Sequence, residues 1–175
     1  MNEPRSVAHV GALRLERSFA AAPEEVFDAW TNPDVLRRWW AAHPNGGSPG
    51  CDVDLRVGGR YVLRMRDPES GELHVVGGEY REIARPHRLV YTWCWQGDGG
   101  PDPGHVSLVT VQFRSEGEHT TVVLEHSGLP SDESRERHGA GWLGTLQNLA
   151  ARIFPGGGGE LARAPHDQQT HDNGG

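Results

Sequence analysis

The sequence predicts an α+β domain in which a curved antiparallel sheet of about seven strands wraps around one long C-terminal helix. Short period-two runs recur from residue 13 to residue 127, separated by turns rich in glycine and proline, which predicts an antiparallel meander. Two short helical patterns follow the first run, and after Pro130 the apolar spacing becomes helical. A sheet with a large inward aromatic set needs a cover, and only the last helix offers enough apolar surface.

Leu13, Leu15 and Phe19 alternate with polar residues and predict the first strand, with Arg17 as the odd member of the inward set. Pro23 opens a short helix with Glu24 and Glu25 at its positive end and Val26, Phe27 and Trp30 as its apolar face. Asn32 and Pro33 repeat the signal, cap then proline, for a second helix burying Val35, Leu36, Trp39 and Trp40. Residues 41–50 read as a loop, and the second strand is expected over Cys51–Leu55.

Strand three places Tyr61, Leu63 and Met65 on one face. Strand four covers about Leu73–Ala84, where Gly77 and Gly78 predict a bulge or a close approach of another element. Strand five, Arg88–Trp95, turns Leu89, Tyr91, Trp93 and Trp95 inward. Strand six, about Ser107–Arg114, does the same with Val109, Val111 and Phe113, and strand seven, about Thr120–Ser127, with Val122, Leu124 and His126. Ser131 can cap the last helix, along which Trp142, Leu146, Leu149 and Ile153 form one stripe until Gly156–Gly159 ends it. The organisation expected is a flexible N-terminus over 1–11, one domain over 12–155, and a disordered polar tail over 156–175.

With 24 acidic against 17 basic residues the net charge is -7, and no arginine stripe exists to neutralise phosphates, so nucleic acid is not an expected partner. All 17 basic residues are arginine, which excludes Schiff-base and Walker-lysine chemistry. Cys51 and Cys94 form no C-x-x-C pair, so reduced thiols are expected. No window approaches the roughly 18 apolar residues of a membrane span, and no apolar run precedes the first strand. A cytoplasmic protein, monomer or homodimer, is the expectation.

Several segments together resemble a known family: Phe19-Ala-Ala-Ala-Pro-Glu-Glu-Val-Phe-Asp-Ala-Trp-Thr-Asn-Pro, Leu36-Arg-Arg-Trp-Trp, Asp54-Leu-Arg-Val-Gly-Gly-Arg-Tyr, Gly78-Glu-Tyr-Arg-Glu-Ile, Arg88-Leu-Val-Tyr-Thr-Trp, Glu125-His-Ser-Gly-Leu-Pro and Gly141-Trp. In this order, over roughly Leu13–Phe154, they resemble the SRPBCC superfamily of START and Bet v 1-like proteins. Within it the resemblance is to the activator of Hsp90 ATPase homologue 1-like family. It implies a helix-grip fold around a hydrophobic pocket, whose members bind lipids, polyketides or hormones or catalyse cyclisation. The domain is also similar to the enediyne self-sacrifice resistance proteins, which share this fold and a strand ending in a Glu-His pair.

Gly46-Gly-Ser48-Pro-Gly50 matches the letters of a hydrolase elbow, but Pro49 has no N–H to lend an oxyanion hole, so Ser48 is not expected to be a nucleophile. The ten histidines include no H-E-x-x-H, and His166 and His171 fall in the tail, so no metal site and no cofactor are expected. Asp52 and Asp54 flank Val53 and should face solvent.

His126 points inward by strand parity. It is either a core histidine satisfied by hydrogen bonds or the polar handle of a cyclase-like catalyst, with Tyr80 or Glu79 nearby. The aromatic set Trp39, Trp40, Tyr61, Tyr80, Trp93, Trp95 and Trp142 is expected to line an internal cavity. Met65, Val111, Phe113, Leu124 and Leu146 complete the expected lining. The function expected is binding of a hydrophobic, aromatic small molecule, with sequestration or self-resistance to a natural product as its purpose. A cofactor-independent cyclase and a chaperone-interacting module are the alternatives.

Overall fold

A computed structural model describes residues 11–156 and the backbone of residues 162 and 163. The first ten residues and the tail histidines His166 and His171 lie outside the described residues. The element order is β1 (Leu13–Phe19), α1 (Pro23–Thr31), α2 (Pro33–Trp39), β2 (Cys51–Val53), β3 (Arg60–Arg66), β4 (Leu73–Ala84), β5 (Arg88–Gln96), β6 (Ser107–Glu116), β7 (His119–Ser127), α3 (Asp132–Arg152) and β8 (Ala162–Arg163). The sheet order is β2-β3-β4-β5-β6-β7-β1-β8, with every pair antiparallel. The seven curved strands β1 to β7, with the two-residue β8 added at the edge, two short helices after β1 and a long last helix make the expected helix-grip architecture.

The capping chemistry is the one the sequence spells out. Asn32 accepts from the backbone N–H of Asp34 at the start of α2, and Ser131 accepts from that of Ser134 at the start of α3. Register puts the inward residues of neighbouring strands opposite one another, Leu15 with Leu124 and Val111 with Leu124. Under α3 they form one core with α1 and α2, and all six tryptophans are buried in it. Arg17 shares that face, its Nε buried without a partner and its guanidinium 5.9 Å from the Phe19 ring centre.

Several boundaries move for identifiable reasons. β2 stops at Val53 rather than Leu55, because Asp54 N–H donates to Arg60 O and Gly59 N–H to Arg56 O in a tight connection that leaves Leu55 and Val57 exposed. Gly78 is a site of close approach, since a Cβ there would lie 1.9 Å from Thr92 O, whereas the register shift falls further on, between Tyr80 and Glu82. α3 ends at Arg152 with Ile153 as its cap, ahead of Gly156, so the glycine run is not its terminator. Past residue 156, where the sequence places no element, Ala162 and Arg163 pair with Glu16 and Leu15 along the outer edge of β1. No helix among the described residues is long and apolar enough to cross a membrane.

Candidate functional site

Between α3 and the β3–β5 end of the sheet lies a cavity of about 410 Å³. That size falls within the roughly 300–1,000 Å³ of small-molecule pockets. Its walls are indoles. Trp40 follows α2, Trp93 and Trp95 come from β5, and Trp142 reaches across from α3. Trp142 packs against Trp93 with ring centres 5.0 Å apart and edge-on to Trp40 at 5.7 Å. Trp93 and Trp95 meet edge to face at 5.4 Å. Met65 closes one side, and the connection between β5 and β6 closes another through Gly100 and Pro101.

Gly100 lies flat on Trp95. Its φ is +79°, and a Cβ would fall 2.3 Å from Trp95 Cδ2, so only glycine lets this loop cover the indole. On the opposite side Asn148 of α3 donates to Ala41 O and His43 O, and Arg152 donates to Pro44 O and Gly46 O. These bonds fasten the loop after Trp40 to the helix and set the position of Ala42 and His43 at the cavity mouth.

Two histidines stand behind the indoles with ring centres 4.9 Å apart. Trp142 Nε1 donates to His126 Nδ1 at 3.0 Å, and His126 Nε2 lies 2.7 Å from Ser107 Oγ. An indole only donates, so Nδ1 must be the acceptor, and Nε2 carries the proton and donates to Ser107. Trp95 Nε1 likewise donates to His138 Nε2 at 3.0 Å, so His138 Nδ1 donates to Ser134 O at 2.8 Å. Burial holds the His126 imidazole well below its usual range, with the neighbouring His138 adding to the effect. Burial lowers His138 as well. Both rings are neutral and neither has an unengaged nitrogen.

The residues expected to line a pocket separate into three groups. Trp40, Met65, Trp93, Trp95 and Trp142 line the cavity. Tyr61 and Tyr80 instead face a void of only about 10 Å³ shared with Trp40. Trp39, Val111, Phe113, Leu124, Leu146 and His126 are packed into the solid core, away from it. Sequence reasoning did not single out His138, Gly141, Arg66 or Arg137, which do line it. His138 sits one helical turn before Trp142, a spacing that puts both on one stripe and was open to reading. Ser48 bonds only within its own turn and to Cys51 Sγ, which fits the absence of a nucleophile elbow.

Among the described residues the N–H groups of Trp40 and Trp93 are buried without a hydrogen-bond partner. Each such orphan costs about 1–3 kcal/mol, so these walls are not arranged for stability alone. An open apolar cavity between a curved antiparallel sheet and a long C-terminal helix makes this a helix-grip protein.

The chain belongs to the Activator of Hsp90 ATPase homolog 1-like protein family, whose model matches residues 20–153. It is similar to the AHSA1 protein from Silicibacter pomeroyi, at 32% identity and TM-score 0.70 over 81% of this chain and 96% of that one. A protein from Chromobacterium violaceum matches at 28% identity and TM-score 0.70, covering 82% and 97%. An HSP90 activator from Plasmodium falciparum matches at 28% identity and TM-score 0.62, covering 86% and 99%. Among curated proteins no sequence matches.

Proposed function

We propose that this protein binds a hydrophobic, aromatic small molecule in the cavity between α3 and the sheet and sequesters it without transforming it, including as self-protection against a natural product. The observation that carries this reading is a cavity of about 410 Å³ walled by Trp40, Trp93, Trp95 and Trp142 and left unfilled by any side chain around it. Flat π-faces on several sides favour a planar occupant. Proton-transfer catalysis has less behind it, because the nitrogens of both His126 and His138 are already engaged. The cytoplasm suits the free thiols of Cys51 and Cys94.

Intrinsic tryptophan fluorescence titrated with lipids, flavonoids and aromatic polyketides tests the proposal. Saturable quenching by a planar aromatic member of the panel is expected. A spectrum that no compound alters would refute it.

The likeness to the Plasmodium falciparum HSP90 activator favours a second reading, a chaperone-interacting module. Stimulation of Hsp90 ATPase activity by the purified protein would support it, and an unchanged rate would remove it.

A further inference from the structure

The charge at the cavity mouth runs against the charge of the chain. The protein carries a net -7, yet the fully charged side chains lining the cavity are Arg66, Arg137 and Asp67. Asp67 keeps its charge while its carboxylate accepts from the backbone N–H groups of Glu69 and Ser70, so the lining carries two positive charges against one negative. Arg66 donates one bond to Gly71 O and meets no carboxylate, and among the described residues Arg137 forms no ion pair at all. His43 and His74 stand on the same rim without adding negative charge, and Asp102, next to Pro101 of the lining, is a further carboxylate acting on His138.

Elsewhere among the described residues some arginines are matched to carboxylates, Arg14 with Glu16, Arg64 with Asp52 and Arg88 with Glu82, and others such as Arg60 and Arg114 are not, so what sets Arg66 and Arg137 apart is the opening they share. Two arginines without carboxylate partners, one on β3 and one on α3, line the same apolar opening from different elements. Low-dielectric walls concentrate that field, which favours an anion at the rim.

Resting on the pocket reading above, we infer that the ligand is an aromatic acid: a planar ring system held among the four indoles, with a carboxylate, sulfonate or phenolate at the mouth between Arg66 and Arg137. The guanidiniums select the ligand's charge and the indoles its shape. Both arginines are exposed, so they are dispensable for folding.

A matched probe pair tests this. Anilinonaphthalene sulfonate and phenylnaphthylamine share their ring system and differ in the sulfonate. Both are titrated against the whole protein with energy transfer from tryptophan as readout. The sulfonate is expected to bind about 10-fold more tightly, with Arg66→Gln and Arg137→Gln each weakening it about 3-fold and leaving the neutral probe unchanged, as partly screened ion pairs do. Added salt should narrow the gap between the probes. Equal affinities, or arginine variants that weaken both probes alike, overturn the charge selection while leaving the pocket reading intact. Gly141→Leu fills the cavity, because a Cβ at Gly141 meets nothing within 4 Å, and it should abolish binding of both. Sulfonate binding that survives in that variant overturns the assignment to this mouth. Failure of both probes to bind the unaltered protein overturns the pocket reading itself.

Discussion

Trp142 and His126 are joined by a 3.0 Å hydrogen bond from the indole to Nδ1, and that bond fixes the tautomer of a histidine with no exposure to solvent. Trp142 thus does two separable things, filling space under α3 and satisfying a buried acceptor. Trp142→Phe keeps most of the first and loses the second, so it should cost about 1–3 kcal/mol. Trp142→Ala also enlarges the cavity and should cost about 3–5 kcal/mol. Urea unfolding of both variants checks the order. A phenylalanine variant as stable as the parent would mean the His126 bond contributes nothing.

The two neutral imidazoles also set the acid limit of the fold. Above the ordinary imidazole value of 6.5, folded and unfolded chains are both deprotonated at these positions, and stability does not depend on pH through them. Below it, the unfolded chain binds protons that the folded chain resists, so stability falls as pH falls, by up to about 1.4 kcal/mol per pH unit for each ring. At His138 burial outweighs the opposing pull of the Ser134 carbonyl and of Asp102, and Arg137 and His105 push in the same direction as burial. Asp67, held low by the N–H groups of Ser70 and Glu69, adds a trend of the same sign only in stronger acid. Unfolding free energies measured from about pH 7.5 to about pH 5.5 should fall, with the slope roughly halved in His138→Asn. A flat profile would show that the rings are protonated in the folded state.

The parity of β3, β5, β6 and β7 was legible because period two leaves no freedom once one face is apolar, and Tyr61, Trp93, Val111 and Leu124 all turn inward as alternation requires. The same parity could not separate cavity from core. Trp93 and Val111 are inward on neighbouring strands, yet only Trp93 borders open space. That distinction depends on how far α3 stands off the sheet, which is set by contacts distant in sequence. Asn148 and Arg152 holding carbonyls of residues 41–46 are such contacts, and nothing in the spacing of Asn148 announces them. The rim escaped notice for a related reason. Arg66 and Arg137 are ordinary exposed arginines until the fold sets them at one opening.

Two glycines one turn apart on α3 give the sharpest test of where the helix touches and where it does not. At Gly144 a Cβ would lie 1.9 Å from Ala42 O and 2.8 Å from Ala42 C, both backbone atoms, so alanine there must push the loop away. Such overpacking should cost about 1–3 kcal/mol. Ala42 also lines the cavity mouth, so the same change should loosen ligand binding. At Gly141 the built Cβ meets nothing, and the residue sits inside a helix, where glycine is the poorer choice. Gly141→Ala should therefore stabilise the protein by about 0.5–1 kcal/mol. Thermal melts of the two variants decide the matter together, since helix propensity favours alanine equally at both positions and only the surroundings differ. Two variants shifted in the same direction would mean that α3 is seated differently over the sheet, and that the opening beside Gly141 is closed.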